Sequence, residues 1–373
     1  MASIEAIIKL IFAFIFSAST ILTPVGGFIT SGGGQENFDY WDAEEKFCIE
    51  DYTTIEKTPG EDFVVLNITD VQLNDDEVYG DAGEYSNALI TTMVEEYQPD
   101  LITLSGDNSW CTMGYLELID LMESFDIPWA PIMGNHDGQG CISEYWVCYN
   151  LAAAENCLFE FGPDGMGYGN YIINVTEEDK IVHTFYMMDS HADAEFTLED
   201  GTVVEGYDHF WPQQLEWYEW AVKGIAEEAG YVVPSTAVFH IPVYEILEAW
   251  DMVSMPDPDG FNEFGVIAPE YADIAQGSVC ELPCPAPVNN GFFDLCKELG
   301  STKTMVFGHD HSNDCVIEFE GITLAYGVKS GFGSYWDYDK IGGTTLTISS
   351  DGTTVVEQHY YDLEENGFII YND

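Results

Sequence analysis

Residues 63–72 read FVVLNITDVQ, a run that stays almost entirely apolar until it reaches Asp70. Apolar residues on both faces are typical of a strand inside a parallel sheet, so the run predicts a buried strand. Asp70 and Gln72 place a carboxylate and a carboxamide at its carboxyl end. Open α/β sheets bind ligands beyond the carboxyl ends of their strands. The stretch therefore predicts an α/β fold with a ligand site at this end of the sheet.

Four further segments repeat the arrangement of a predicted strand followed by polar side chains. They are Gly106-Asp107-Asn108, Gly134-Asn135-His136-Asp137, His240-Ile241-Pro242 and Gly308-His309-Asp310-His311. Carboxylates, a carboxamide and several imidazoles are the ligand types of two-metal hydrolytic sites. In an extended backbone the two His of the last segment share one face, as a metal site requires. Together, these segments predict a dinuclear metal site at strand ends and favour phosphate-ester hydrolysis.

Strand and helix patterns alternate from about residue 61 onward. Apolar residues recur at helical spacing between residues 89 and 97 and predict a crossover helix. A second helix is predicted around residues 116–125, before the strand that ends at Gly134. This β-α-β-α-β order implies a parallel sheet with crossover helices.

The last third of the chain has a different pattern. Residues 255–287 are rich in Pro, Asp and Gly and predict a long insertion loop with little regular structure. Short strands separated by Gly turns follow Cys315 and predict a β meander that completes a second sheet. These strands are predicted at residues 316–319, 322–326, 344–348 and 355–360.

The charge balance restricts the possible partners. The chain has 67 acidic residues against nine Lys, no Arg, and a formal net charge of -58. A basic footprint for nucleic acid is therefore excluded. Self-repulsion among the acids should be relieved by salt or by bound divalent cations, which we expect as partners. A hydrophobic content of 46% excludes wholesale disorder.

The N-terminus has the pattern of a secretory leader. Lys9 precedes the apolar stretch 10–16, which is followed by small residues suited to cleavage. We expect a signal peptide over residues 1–19, a flexible segment over 20–60 and one folded domain over 61–373. The alternative is an uncleaved signal anchor, and only then would the protein contact a membrane.

Cysteines and glycosylation motifs fit a secreted chain. Nine Cys predict several disulfides, with at least one thiol that is unpaired or shared with a partner. A Cys-rich zinc site is the alternative, although no C-x-x-C spacing supports it. Asn67 and Asn174 both lie in Asn-x-Thr motifs. Because Asn67 falls inside the first predicted strand, we expect glycosylation only at Asn174.

The combined motifs resemble those of the calcineurin-like metallophosphoesterases, and more narrowly the purple-acid-phosphatase-like branch of plants and fungi. Several shorter stretches also resemble that branch, and the resemblance covers the chain from about residue 61 to the end. It implies a two-sheet αββα sandwich. The stretches are Gly169-Asn170-Tyr171, Gln214-Leu215-Glu216-Trp217, Ser312-Asn313-Asp314, Tyr326-Gly327 and Ser330-Gly331-Phe332-Gly333.

The resemblance also implies a role for each site residue. Asp107 would bridge two metal ions, expected to be Fe, Zn or Mn, that activate a hydroxide nucleophile. His136 would contact the phosphate and protonate the leaving oxygen, with Asp137 orienting it. The remaining ligands would be Asp70 and His311 for the first metal, and Asn135, His240 and His309 for the second.

Two positions depart from the family pattern. The family's first motif is Asp-x-His, whereas this chain has Gln72 at the third position. Purple members carry a tyrosinate ligand three residues after the bridging Asp, and this position is Trp110. A carboxamide oxygen from Gln72 is a weaker ligand than imidazole for Zn²⁺ or Fe²⁺. We therefore expect a weak first metal and a colourless protein.

The leading hypothesis is a secreted, metal-dependent phosphoesterase that hydrolyses small phosphate monoesters. One alternative is a catalytically weakened, acidic, divalent-cation-binding surface or matrix protein. The departure at Gln72 and the charge favour it, whereas the intact proton donor His136 opposes it. A second alternative is a phosphodiesterase for nucleotides or lipids. The negative charge argues against polyanionic substrates but not against small ones.

Overall fold

A computed structural model describes residues 37–74, 80–140, 143–198 and 200–362. The predicted signal peptide over 1–19 and the first part of the segment 20–60 lie outside the described residues, as do residues 363–373 of the predicted domain.

Two large sheets form the centre of the molecule. The strands are β1 (Thr53–Glu56), β2 (Phe63–Ile68), β3 (Leu101–Ser105), β4 (Trp129–Ile132), β5 (Tyr171–Glu177), β6 (Lys180–Met187), β7 (Asp193–Thr197), β8 (Val203–Tyr207), β9 (Ser235–Val238), β10 (Ser254–Met255), β11 (Val266–Ile267), β12 (Ala275–Gln276), β13 (Thr302–Phe307), β14 (Val316–Phe319), β15 (Ile322–Tyr326), β16 (Gly342–Ile348) and β17 (Thr354–Tyr360). One large sheet has five strands in the order β17-β16-β2-β3-β4, and the other has eight in the order β1-β5-β6-β9-β13-β15-β14-β12. Two small hairpins, β7-β8 and β10-β11, lie apart from them.

The helices cover the outer faces of the two sheets. They are α1 (Asp81–Tyr97), α2 (Thr112–Ser124), α3 (Glu144–Ala153), α4 (Pro212–Ala229), α5 (Glu245–Val253) and α6 (Phe292–Leu299). Two short 3-10 turns occur at Ile49–Asp51 and Pro269–Tyr271.

The five-stranded sheet carries the predicted β-α-β-α-β unit. Strands β2, β3 and β4 pair in parallel and are joined by α1 and α2. The apolar stripe of α1, with Leu89, Ile90 and Met93, is fully buried. Helix α2 begins at Thr112, earlier than predicted, because Cys111 accepts a hydrogen bond from the backbone N–H of Gly114 and caps it. The parallel unit expected from the sequence is present.

The core between the sheets explains why both are so apolar. One buried cluster combines Val65 and Leu104 of the five-stranded sheet with Ile173, Phe185 and Val306 of the eight-stranded sheet. A second cluster lies between the eight-stranded sheet and helices α4, α5 and α6. Burial of apolar area on both faces of each sheet dominates the stability of this arrangement. The predicted αββα sandwich is confirmed.

The predicted C-terminal meander is wrong. Strands β14 and β15 form a hairpin in the eight-stranded sheet, where β15 pairs in parallel with β13. Strands β16 and β17 form a hairpin in the other sheet, where β16 pairs antiparallel with β2. The segment 327–341 crosses from one sheet to the other. Local patterns predict strands, but partners far away in the sequence decide which sheet each hairpin joins.

The segment before residue 61 is more ordered than predicted. Strand β1 pairs in parallel with β5 at the edge of the eight-stranded sheet. Phe47 is buried and belongs to the cluster beneath that sheet, with its ring stacked on Tyr52. The prediction of a flexible segment over 20–60 is therefore wrong for residues 37–60. Apolar anchors such as Phe47 tie this segment to the domain. The segment 255–287 is largely irregular, as predicted, but its strand β12 pairs with β14.

Two expectations about secretion chemistry differ from the structure. Asn174 is fully buried on β5, between β1 and β6, so no glycan could be attached to it in the folded domain. Eight cysteines lie within the described ranges, and all eight are free thiols. No disulfide is present in this part of the chain, where buried thiols such as Cys296 and Cys315 pack as small apolar groups, and the disulfides stay a prediction. Cys141 lies outside the described residues.

Among the residues that the structure describes, no helix is long and apolar enough to cross a membrane.

Candidate metal centre

The predicted site residues follow the carboxyl ends of five strands. Strands β2, β3 and β4 of one sheet lead to Asp70, Asp107 and Asn135, and strands β9 and β13 of the other lead to His240 and His309. The site thus lies where the strand ends of both sheets meet. Each sheet supplies part of the ligand set, so packing of the two sheets assembles the site.

The backbone at the site is strained. Asp70, Gln72, Asp107 and His309 have φ angles of 53°, 51°, 52° and 80°. The left-handed region is unusual for residues that carry a side chain, and such residues cluster at functional sites. All four residues lie just past the ends of β2, β3 and β13, within the predicted site segments.

Glycines allow the strand ends to approach closely. A Cβ atom on Gly134 would lie 2.2 Å from the backbone N of Asp107. A Cβ on Gly308 would lie 2.4 Å from Oδ2 of Asp70. Both contacts are too short for any side chain, so the Gly residues in the two motifs are required by packing.

Buried donor atoms converge at the second metal position. Nε2 of His240 and Nδ1 of His309 each lie 3.0 Å from Oδ1 of Asn135. Nε2 of His240 also lies 3.4 Å from Oδ1 of Asp107. Nδ1 of His240 lies 2.9 Å from the carbonyl oxygen of Ser105 and donates to it, which directs Nε2 toward the site. This second contact fixes the ring orientation, as is usual for metal-ligating His.

The first metal position retains three of its four expected ligands. Ligand atoms of Asp70, Asp107 and His311 all lie within 4.8 Å of one another. Nε2 of His311 is 3.4 Å from Oδ1 of Asp70, and its Nδ1 donates to the carbonyl oxygen of Tyr335 at 2.9 Å. Oδ1 of Asp70 is buried and makes no hydrogen bond within the described part of the chain. A buried carboxylate oxygen without a donor fits a cation ligand.

The electrostatics of the cluster favour positive charge. Burial would raise the pKa of Asp107, but His240 and His136 lower it to about 2. Burial would lower the pKa of His240, yet Asp107 and Asp70 raise it to about 10. Burial and the positive charge of His240 lower the pKa of His309 to about 3. The pocket therefore stabilises ionised carboxylates together with a positive charge, which suits cation binding.

Gln72 occupies its predicted place, but its carboxamide is oriented differently from the expectation. Its Nε2 donates to Oδ2 of Asp107 at 2.7 Å, and its Oε1 accepts from Nζ of Lys329 at 3.3 Å. The ammonium group can only donate and an ionised carboxylate can only accept, so these two partners fix which end of the carboxamide faces each. The oxygen expected as a metal ligand is directed to Lys329 instead.

Comparison with known proteins agrees with this geometry. The family model of the calcineurin-like phosphoesterases matches residues 63–313, well over half of the chain. This chain belongs to the calcineurin-like phosphoesterase family. The family predicted from the motifs is confirmed, and metal-dependent phosphoester hydrolysis is the activity that characterises it.

Individual relatives are 27% identical to this chain or less. The chain is 27% identical over 281 residues to "Probable inactive purple acid phosphatase 14" of Arabidopsis thaliana, covering 67% of this chain and 63% of the relative. It is 27% identical over 240 residues to phosphatase DCR2 of Saccharomyces cerevisiae, covering 60% and 36%. The chain thus spans less than two thirds of these relatives' length. Among solved structures, a dimetal phosphatase from Danio rerio is similar at 12% identity and a TM-score of 0.46, covering 79% of this chain and 98% of that one.

His136 lies at the opening of the phosphoesterase site. Its side chain is 31% exposed, and its Nε2 is 3.9 Å from Oδ2 of Asp107. Its backbone N–H donates to Oδ1 of Asp107 at 2.9 Å, which ties the loop to the centre of the site. Nδ1 lies 2.9 Å from Oε1 of Gln139. His136 therefore combines a fixed backbone with an imidazole that can reach a substrate.

Asp137 was expected to orient His136, but its carboxylate contacts backbone groups instead. Its carboxylate accepts hydrogen bonds from the backbone N–H groups of Asn108, Ser109 and Gly134 at 2.7–3.0 Å. Burial and the charge of Asp107 raise the pKa of Asp137 to about 6. Asp137 thus joins the loops after β3 and β4, and Gln139 makes the contact to the imidazole. A buried residue with several backbone donors is a structural brace.

Three aromatic rings pack on three imidazoles of the site. Centroid distances are 4.7 Å for Trp110 on His136, 4.2 Å for Tyr207 on His309 and 4.1 Å for Tyr335 on His311. Trp110 stands where purple members have a tyrosinate, and its indole cannot supply that ligand. The three rings pack against the imidazoles and restrict their motion.

Sequence motifs missed several of these contacts. Gln139 is three residues after His136, where no pattern distinguishes it from any turn residue. Lys329 lies between two stretches that resemble the family, and a Lys there predicts an exposed side chain. Tyr207 and Tyr335 come from the hairpin β7-β8 and from the segment 327–341, far from the metal motifs.

Proposed function

We propose that this protein is a metal-dependent phosphatase that hydrolyses small phosphate monoesters. The observation that carries the proposal is the convergence of four buried groups beside an exposed imidazole. Asp107, Asn135, His240 and His309 bring their donor atoms together, and His136 stands between them and solvent. A binding protein has no need of such a proton donor, whereas ester hydrolysis does.

Two metal ions would be held by the cluster. The ion at the second position would bind Asp107, Asn135, His240 and His309, and the ion at the first position would bind Asp70, Asp107 and His311. The nitrogen-rich second position suits Fe, Zn or Mn. Bound divalent ions at such a site neutralise phosphate oxygens and activate the nucleophile.

The chain's own residues would handle the leaving group. His136 has its Nδ1 on Gln139, so Nε2 is the atom left to face a substrate. Protonation of the leaving alkoxide or phenoxide from Nε2 would release the alcohol, and Gln139 would hold the ring in place during the transfer. The backbone N–H of His136 keeps the loop attached to Asp107 throughout.

The surface supports small substrates over polymeric ones. A chain with a formal charge of -58 repels polyanions at long range, although salt screens this effect. The phosphodiesterase alternative predicts instead that a nucleotide diester is hydrolysed faster than a monoester of the same leaving group.

Elemental analysis combined with an assay of p-nitrophenyl phosphate from pH 4 to 9 tests the proposal. We expect bound divalent metal, loss of activity on chelation and recovery with added Mn²⁺. Bis-p-nitrophenyl phosphate is the matched diester and should react more slowly. Metal-loaded protein without monoesterase activity at any pH would overturn the proposal.

A second candidate, an acidic divalent-cation-binding protein without turnover, is favoured by one observation. Lys329 engages Gln72 at the first metal position, where the family places a metal ligand. The relatives named above include a "Probable inactive" phosphatase, which agrees with this candidate. It predicts bound metal without hydrolysis in the same experiment.

We propose further that the protein is secreted, on the strength of the leader pattern in residues 1–19. N-terminal sequencing of native protein should return a residue close to position 20. A sequence that starts at Met1 or Ala2 would contradict cleavage.

A further inference from the structure

Lys329 lies behind the first metal position, in a part of the chain beyond the family match over 63–313. Only 1% of its surface is exposed. Its backbone bridges to Thr69, and the N–H groups of Ser330 and Gly342 donate to the carbonyl oxygens of Thr69 and Lys329 at 2.9 Å each. The end of β2 therefore fixes the position of the lysine beside Asp70.

The ammonium group of Lys329 points toward the metal motif. Nζ donates to the carbonyl oxygen of Asp70 at 2.6 Å and to Oε1 of Gln72 at 3.3 Å. The ammonium charge therefore lies beside the residue whose carboxylate the family uses for the first metal.

Gln72 carries the effect of Lys329 to the bridging carboxylate. Its Oε1 is held by Lys329, so its Nε2 is presented to Oδ2 of Asp107 at 2.7 Å. Oδ1 of Asp107 accepts from the backbone N–H of His136 at 2.9 Å. The carboxylate oxygen on the side of Gln72 therefore has a hydrogen-bond donor supplied by the protein. An imidazole at position 72 would instead offer a lone pair to a metal ion.

A fixed positive charge beside the backbone of Asp70 opposes a further cation bound by the side chains at this position. Two like charges a few ångströms apart inside a protein repel strongly, because little water screens them. At the second metal position, His240 and His309 instead contact the neutral carboxamide of Asn135. The two positions share Asp107 but differ in their electrostatics.

We propose that Lys329 is a resident cation of the first metal position. Through Gln72 it directs a hydrogen bond onto one oxygen of Asp107, and its charge weakens divalent-ion binding by Asp70, Asp107 and His311. The protein then binds one divalent ion tightly at the second position and a further ion only weakly. Lys329 is a positioning residue in this arrangement, and the inference rests on the proposed metal-dependent function.

Lys329→Met tests the proposal, because Met has a similar length and volume without the charge. Lys303→Met is the matched control, since Lys303 is exposed on β13 and its loss changes the net charge equally. Mn²⁺ binding is measured by calorimetry, stoichiometry by elemental analysis, and the pairing of ions by electron paramagnetic resonance. None of these measurements depends on turnover, so an inactive protein can still confirm or overturn the role of Lys329.

The wild-type protein should bind one Mn²⁺ tightly, with a mononuclear resonance signal. Lys329→Met should tighten the second binding event by roughly 10-fold or more and yield a spin-coupled signal from paired ions. Lys303→Met should match the wild type. Gln72→His alone should raise the affinity for the second Mn²⁺ much less than Gln72→His combined with Lys329→Met. The ammonium group of Lys329 remains in the single variant and still opposes the ion.

Two results would overturn the proposal. One is unchanged Mn²⁺ affinity in a folded Lys329→Met variant, with folding checked by thermal melting. The other needs no variant and decides the question even if Lys329→Met does not fold. It is a wild-type protein that binds two Mn²⁺ with equal affinity.

Discussion

The two proposed metal positions share Asp107 and lie at the same edge of the molecule, yet their other side chains differ. At the second position, Nε2 of His240 and Nδ1 of His309 each lie 3.0 Å from Oδ1 of Asn135. At the first, Asp70 and His311 remain, but Gln72 gives its oxygen to Lys329 and its N–H to Asp107. A family fold can thus keep one half of a dinuclear site while a protein cation modifies the other.

The largest effect should follow from the residue that both positions share. Asp107→Asn should abolish turnover, with a loss of more than about 10³, and lower the metal content. A carboxamide cannot neutralise two cations, so both positions lose their common ligand. Asp62→Asn, an exposed site on the surface, is the control. Unchanged metal content and rate in Asp107→Asn would remove the basis for treating the two positions as one site.

His136→Ala should slow turnover by about 10²–10⁴ while the metal content stays the same. The loss should be greatest for esters with poor leaving groups, since those need a proton most. Gln139→Ala should show a smaller loss with the same dependence on leaving group. Equal slowing of p-nitrophenyl phosphate and an alkyl phosphate would contradict the acid role.

Removing one expected ligand from each metal position tests directly whether the two positions differ in affinity. His240→Ala should weaken the tight Mn²⁺ site by at least about 100-fold, because it removes a buried ligand that Ser105 holds in place. His311→Ala should leave the tight site unchanged and affect only the weak one. Calorimetric titration of the two variants measures both affinities. Equal losses of the tight ion in both would show that the halves are not distinct.

The smallest effect is expected at Glu160, a carboxyl group outside both metal positions. Its titration serves as a reference for the pH dependence of stability. Burial and the nearby charge of Asp39 raise the pKa of Glu160 to about 7. Because the folded state prefers the protonated acid, its contribution to stability is full below the unfolded pKa of about 4.3 and is lost as the pH rises through 7. Glu160→Gln should therefore stabilise the protein by about 2 kcal/mol at pH 8 and by little at pH 4.

Urea unfolding of the metal-free protein at pH 4, 6 and 8 measures this difference. Glu155→Gln, an exposed neighbour in the sequence, is the control. If Glu160→Gln and Glu155→Gln showed the same pH dependence as the wild type, the raised pKa of Glu160 would be refuted. Any pH dependence that remains in Glu160→Gln then belongs to groups elsewhere, including those of the metal centre.

The sequence predicted more of the fold's parallel unit than of its edges. The apolar run over 63–69 is buried on both faces, so its pattern reports its position directly. The strands after Cys315 were predicted correctly, but they were assigned to a single sheet, whereas the structure divides them between two. The local alternation of apolar and polar residues carries no information about distant partners. Asn174 was expected to be exposed, whereas its pairing with strands on both sides buries it.

The sequence by itself determined the family, the parallel unit and the identities of the side chains that meet at the candidate metal centre. Those features depend on short segments in which residue type and strand end coincide, so each can be recognised locally. Only the tertiary structure decided that Gln72 faces Lys329, that Gln139 rather than Asp137 contacts His136, and that the two sheets divide the site between them. Those contacts join residues separated by up to 257 positions, or depend on which way a carboxamide turns. Packing and electrostatics of the folded protein settle such choices, and no local pattern encodes them.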